Sequence, residues 1–356
     1  MFNKQKQLVE NKIAFIIILL GNKISNSHEN TSDSSIKLLE YFLMAESLKI
    51  NIPDEICLIT IRTRSSELWF INNRKFEREL LGYLAKYQQE YGVILYAFIL
   101  MGNHYHLIVS FPLGNRDKFE KAFNRIFANV LKRHVKGYSS GPVWARRYRS
   151  QALLTPSDVL NYFFYVALNP ISSGIVSSID NYSCFNSYYM SLTGETMTFE
   201  LVDWRDYNNR KRCNKTLKPK DCIKKYTLKF SRLPEHENDT QEIYQKFLED
   251  ERITRSKILI RNRIKSGKGF LGTKKYRKQI PGSLPRHTKI SKRDSHYPLA
   301  LSADKVALAK YYAAYYEIRH RYKVASKLFR QGNLSVIFPP GTYRPSASVG
   351  ITTKLA

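Results

Sequence analysis

The stretch Leu100-Met-Gly-Asn-His-Tyr-His-Leu-Ile-Val109 decides how this chain is read. Gly102-Asn103 offers a tight turn, and residues 104–111 after it read as a strand running back along a strand candidate at 93–100. Strand side chains alternate between faces. His104 and His106 therefore share one face, while Tyr105, Leu107, Val109 and Phe111 point into the opposite layer. Two imidazoles side by side can chelate one divalent ion. Alone, such a pair is more often two solvent-facing strand histidines.

Working outward, residues 56–63 form a β-branched run that reads as a strand. A helix should then open at Asn73 and end at Gly92, because Phe76, Leu80, Leu84, Tyr87 and Tyr91 recur at helical spacing. Downstream, 117–136 is the clearest amphipathic helix. Phe119, Phe123, Ile126, Phe127, Val130 and Leu131 make one face, and Lys121, Arg125, Lys132 and Lys136 a basic stripe. Residues 143–154 look strand-like and contain Trp144-Ala-Arg-Arg-Tyr-Arg149. A further helix begins at Thr155, with Pro156 in its first turn and Asp158 placed to cap it. It should end near Asn169, because Pro170 disfavours helix in the residue before it. This order predicts an α+β fold, a ferredoxin-like sandwich with a mainly antiparallel central sheet and helices packed on it, plus a basic C-terminal extension.

That last helix carries a second chemical feature. At about 100° per residue, Asp158, Asn161, Tyr162, Tyr165 and Asn169 fall on one arc, while Leu160, Phe163, Phe164 and Ala167 face the core. Tyr165 and Asn169 lie one turn apart, so a phenol and an amide oxygen can face the same point. A phenol with a pKa of about 10 is a weak nucleophile at neutral pH. A metal that neutralises phosphate charge makes its attack feasible. The chain has 24 tyrosines, so Tyr165 alone would carry little weight.

A hydrophobic content of 43% in 356 residues argues for a folded chain. The formal net charge is +28. Residues 201–356 hold 36 Lys+Arg against 13 Asp+Glu, a balance of +23, and 252–293 hold 15 basic residues and no acidic one. Such a field attracts nucleic acid through phosphates, although ribosomal RNA or an anionic membrane surface would serve it equally. Four scattered cysteines give neither a zinc spacing nor a disulfide framework, and a reducing, cytoplasmic setting fits them. The apolar run 13–20 is too short to span a bilayer. The expected organisation is an appendage at 1–43, a catalytic domain at 44–197, a basic, helical nucleic-acid-binding extension at 198–335, and a loose tail at 336–356.

The 100–109 stretch resembles the histidine–hydrophobic–histidine signature of HUH endonucleases, and most of all the REP-associated tyrosine transposases. Tyr165-Val-Ala-Leu-Asn-Pro-Ile-Ser-Ser-Gly-Ile-Val176 is similar to that family's tyrosine helix, and residues 144–149 resemble the Arg-rich segment between the two motifs. The likeness covers about 56–189, with a fainter continuation through 244–280. Gly102 stands where the family usually has proline, and Tyr105 is a bulky middle residue. The resemblance implies that His104 and His106 are metal ligands with Asn169 as the third, for Mg²⁺ or Mn²⁺. It implies that Tyr165 is the nucleophile, forming a 5′-phosphotyrosine link to single-stranded DNA at a hairpin. Arg62, Lys132, Arg133, Trp144, Arg146, Arg147, Tyr148 and Arg149 are the expected DNA contacts, and a homodimer is compatible with this. Two alternatives stand beside it: a domesticated hairpin-binding protein without turnover, and a replication initiator or relaxase. The four retained site residues favour the transposase over the first, and the absence of a phosphate-loop motif favours it over the second.

Overall fold

Asn73 and Gly92 do what their residue types suggest. The Asn73 side chain accepts from the Phe76 amide at 3.0 Å, and Gly92 closes the helix in the left-handed region at φ +60°. Between them lies the first helix of a mixed α/β fold, seen in a computed structural model that describes residues 48–138, 141–285 and 297–345. The expected appendage at 1–43 lies outside the described residues. One unit takes in the described residues from Ile52 to 285 together with Pro298–Leu301. Its first half runs β1 (Ile56–Arg62), α1 (Arg74–Tyr91), β2 (Ile94–Leu100), β3 (His104–Ser110), α2 (Arg116–His134), β4 (Arg149–Leu153), α3 (Pro156–Ala167), α4 (Asn169–Ser172) and α5 (Tyr188–Thr193). It continues with β5 (Met197–Val202), α6 (Trp204–Lys211), β6 (Ile223–Leu228), α7 (Gln241–Lys265), α8 (Thr273–Arg277) and β7 (Ala300–Leu301).

Five strands form one sheet in the order β2-β3-β1-β4-β7, antiparallel except for the parallel β4–β7 pair. Residues on β3 are buried throughout, as a central strand covered on both faces requires. Cys57, Ile59, Ile61, Tyr105, Leu107 and Val109 pack against α1 and α2. Leu58, Ile99 and Ile108 pack against α3, with Tyr188 of α5 and Tyr244 and Leu248 of α7 joining them. The imidazoles of His104 and His106 lie on this second face. A break in register between Leu95 and Ala97 puts Leu95 and Phe98 in the first layer and Ala97 and Ile99 in the second, which simple alternation along β2 would not allow.

Four expectations need correcting. Residues 143–148 do not continue a strand: β4 begins only at Arg149, and a single bridge joins Thr63 to Trp144. The helix from Thr155 stops at Ala167, and Asn169 opens a separate single turn, because Pro170 cannot donate back into α3. The region expected to be helical beyond 197 contains the β5–β6 antiparallel pair, which is packed on α1 so closely that a β-carbon at Gly82 would lie 3.2 Å from Leu201. The second unit holds 48–51, 297 and 302–345 of the described residues. Its helix α9 (Lys305–Arg330) is capped by the Asp304 carboxylate. Residues 336–345, expected to be loose, are tied down: Phe338 packs on Tyr322 and Phe329, and the Asn51 amide donates to the Gly341 carbonyl at 2.9 Å. No helix among the described residues is long and apolar enough to cross a membrane.

Candidate functional site

The Gly102-Asn103 turn delivers His104 at the very start of β3, opposite Arg62 of β1, and sets His106 opposite Thr60. The two rings are 4.9 Å apart between centroids and nearly perpendicular. Each is fixed through Nδ1: His104 meets Asn103 Oδ1 at 2.6 Å, and His106 meets Thr60 Oγ1 at 2.8 Å. Neither Nε2 has a hydrogen-bond partner among the described residues. A metal-binding histidine is held in this way, its second nitrogen fixed by a neighbouring acceptor and its first left open. Burial, with His106 and the Arg62 charge beside it, holds the His104 pKa well below the usual histidine range. Burial and Arg62 hold His106 at about 3. Both rings are therefore neutral at physiological pH, the form that binds a metal.

Facing them is α3, started by a full capping box. The Asp158 amide donates to Thr155 Oγ1 at 3.1 Å, and the Thr155 amide donates to Asp158 Oδ2 at 3.0 Å. This fixes the rotation of the helix and places the Tyr165 ring 5.3 Å from that of His106. The Tyr165 side chain is partly open, the residue being 46% exposed, and Tyr162 leans on its ring at 5.8 Å. Burial raises the Tyr165 pKa, while Arg62 and a hydrogen bond with Asn169 pull it back down. Asn169 is buried, and its Oδ1 accepts from Ser173 Oγ at 3.0 Å. An amide oxygen has a second lone pair for a further partner. Asn169 joins the cluster through Tyr165 and has no hydrogen bond to either imidazole. Among the described residues no group of three His, Cys, Asp or Glu side chains is arranged to hold a metal. An ion at Nε2 of both histidines would thus need Asn169, or oxygen atoms from a substrate, to complete its shell.

The expected DNA-contacting residues separate into two sets. Arg62 is exposed beside the imidazoles. Arg149 sits opposite Thr60, so His106, Thr60 and Arg149 form a row across one sheet face. Arg146 and Arg147 are exposed on the segment leading into β4. Lys132 and Arg133, by contrast, are on α2, which packs on the opposite face of the sheet, and Arg133 is paired with Glu79 at 2.7 Å. The Trp144 indole is taken up by the core: it packs edge-on to Phe127 at 4.8 Å and donates to the Asn124 carbonyl at 3.1 Å. The Tyr148 hydroxyl is bonded to Asp117. Both residues are half-buried. Sequence reasoning passed over Thr60 and Asn103, although Asn103 directly precedes His104 and could have been suspected.

No protein-family model matches the chain, and no curated protein matches it. Among solved structures, a REP-associated tyrosine transposase bound to a REP hairpin is similar at 16% identity and a TM-score of 0.34, over 42% of this chain and 86% of that one. A bacterial tRNA-histidine guanylyltransferase-like protein in complex with ATP is similar at 11% identity and a TM-score of 0.28, over 61% and 98%. Likenesses this slight carry no inference about either the fold or the chemistry.

Proposed function

We propose that this chain is a single-strand DNA transposase core, cleaving and rejoining DNA at hairpin-bearing repeats with Tyr165 as nucleophile. The observation that carries the reading is the contact of the Tyr165 ring with His106, whose own ring lies 4.9 Å between centroids from a second neutral imidazole. The motifs of residues 100–109 and 165–176, in that order, support it. The β1–α1–β2–β3–α2–β4 succession, with α1 and α2 on the face away from the histidines, supports a ferredoxin-like core. His104, His106 and Asn169 would hold Mg²⁺ or Mn²⁺, which when bound supplies charge neutralisation at the scissile phosphate.

The rest of the chemistry falls to side chains. Arg62, beside both histidines and Tyr165, holds a phosphate near the phenol. The Tyr165 oxygen attacks phosphorus and gives its proton to solvent through the open side of the ring. The bond from phosphorus to the 3′ oxygen breaks, and that oxygen leaves as a 3′-hydroxyl after taking a proton. In the rejoining step a 3′-hydroxyl attacks the phosphotyrosine and releases the phenol. Arg146, Arg147 and Arg149 extend the phosphate track along the entrance to β4.

The test is a nicking assay on hairpin-bearing single-stranded DNA with Mn²⁺ and with chelator, comparing the unchanged protein with Tyr165→Phe and Tyr162→Phe. A denaturation-resistant adduct that requires Mn²⁺ and Tyr165 is the expected result. An adduct lost only with Tyr162→Phe would overturn the assignment. Tight hairpin binding with no adduct would favour the non-catalytic alternative.

A further inference from the structure

The short helix α4 begins with Asn169 and lasts four residues, too few to hold its own shape in isolation. Its carbonyls can be followed one by one. Asn169 O accepts from the Ser173 amide at 2.9 Å, Pro170 O from Ile175 at 2.9 Å, and Ile171 O from Gly174 at 2.9 Å. Ser172 O accepts from outside the turn, from the Arg263 guanidinium at 3.4 Å. That side chain comes from the end of α7. Its Nε donates to the Gly269 carbonyl at 2.9 Å, and it lies over the Phe270 ring at 5.3 Å.

Gly174 makes room for it. With φ +73°, Gly174 is in the region that disfavours side chains, and a β-carbon there would fall on the Arg263 guanidinium. The same segment is then stitched to the turn by two consecutive backbone bonds, from Leu271 to Gly174 and from Gly272 to Ile175, both 2.9 Å.

We infer that Arg263 is a positioning residue for the reaction: it fixes the Asn169–Gly174 turn, and with it the Asn169 side chain and the neighbouring Tyr165 phenol. This rests on the reading of Tyr165 and Asn169 as reacting groups. Ser173 is the link, since its hydroxyl orients the Asn169 amide and its neighbour Ser172 is the residue Arg263 holds. Gly174 is accordingly a place kept for an arginine from far along the chain.

The experiment uses the full chain as Arg263→Ala, Arg263→Lys, Gly174→Ala and the double variant that carries both Arg263→Ala and Gly174→Ala. Hydrogen exchange of the 168–176 amides should speed up at least about tenfold in Arg263→Ala, with β1–β3 amides unchanged. Adduct formation should fall by a similar factor while hairpin affinity stays within about twofold, and lysine should restore part of the rate. Gly174→Ala should cost less when Arg263 is already absent, because the two side chains compete for one place. If Arg263→Ala leaves exchange at 168–176 as it was, or if affinity falls as far as the rate, the inference is overturned. If the unchanged protein forms no adduct, the transposase reading is lost, and the exchange measurement alone decides on Arg263.

Discussion

Lowering the pH should unfold this protein through His106, and the size of the effect can be worked out. The ring is 5% exposed and its pKa is held at about 3 by burial and by Arg62, against an ordinary value of 6.5. The folded state thus binds fewer protons than the unfolded one between these two values. The stability contributed by keeping the ring neutral is fully present above pH 6.5 and is lost as the pH falls toward 3. One unit is worth ~1.4 kcal/mol, so this residue alone should cost ~2 kcal/mol at pH 5. His104 shifts in the same direction and adds to it. The comparison is urea unfolding at pH 7.5 and 5.0, in chelator, of the unchanged protein and His106→Asn, whose amide can keep the Thr60 hydrogen bond. Asparagine does not titrate, so the variant should lose ~2 kcal/mol less between the two pH values. Parallel losses would mean that the imidazole is solvated in the folded state, and the burial of His106 would be refuted.

Three further outcomes are expected. Gly102→Ala should destabilise by about 1–3 kcal/mol in thermal or urea unfolding, because its β-carbon would lie 2.9 Å from Leu68 Cδ2 and 3.1 Å from Ile71 in a packed region. Thr155→Ala should cost about 1 kcal/mol by removing the oxygen that accepts from the Asp158 amide, and should reduce the adduct rate as the start of α3 loosens. Arg147→Ala should weaken hairpin binding, with the slope of log affinity against log salt falling by about 1, whereas binding indifferent to both would remove the residue from the phosphate track.

The parts of this molecule that were legible in the sequence are those set by neighbours in the chain. Asn73 and Gly92 bracket α1, Thr155 and Asp158 cap α3, and the two histidines share a face because strand geometry leaves no alternative. What was not legible depends on partners far away. Residues 144–149 look strand-like, but Trp144 packs against Phe127 and Phe70 at the edge of the core, and the strand starts later. The expectation of a helical extension beyond 197 missed the β5–β6 pair, whose Phe199 and Tyr226 are buried at α1. The offset in β2 near Tyr96 is invisible to a period of two. Arg263 gives no local hint at all, since the space it fills belongs to a glycine 89 residues earlier.

The parallel pairing of β4 with β7 has a consequence for how the chain emerges from the ribosome. Strands β1 to β4 are complete by Leu153, but Ala152 and Leu153 wait for Ala300 and Leu301, 148 residues further on, to cover that side of the sheet. At about 5–20 residues per second, the nascent sheet spends roughly 7–30 s with its β4 edge unpaired by β7. An uncovered edge is a template for another chain, so neighbouring nascent copies on one message can pair there. Shortened products ending before residue 300 would keep that edge open permanently. They should aggregate through β4 even though the residues of the histidine–tyrosine site are all present in them.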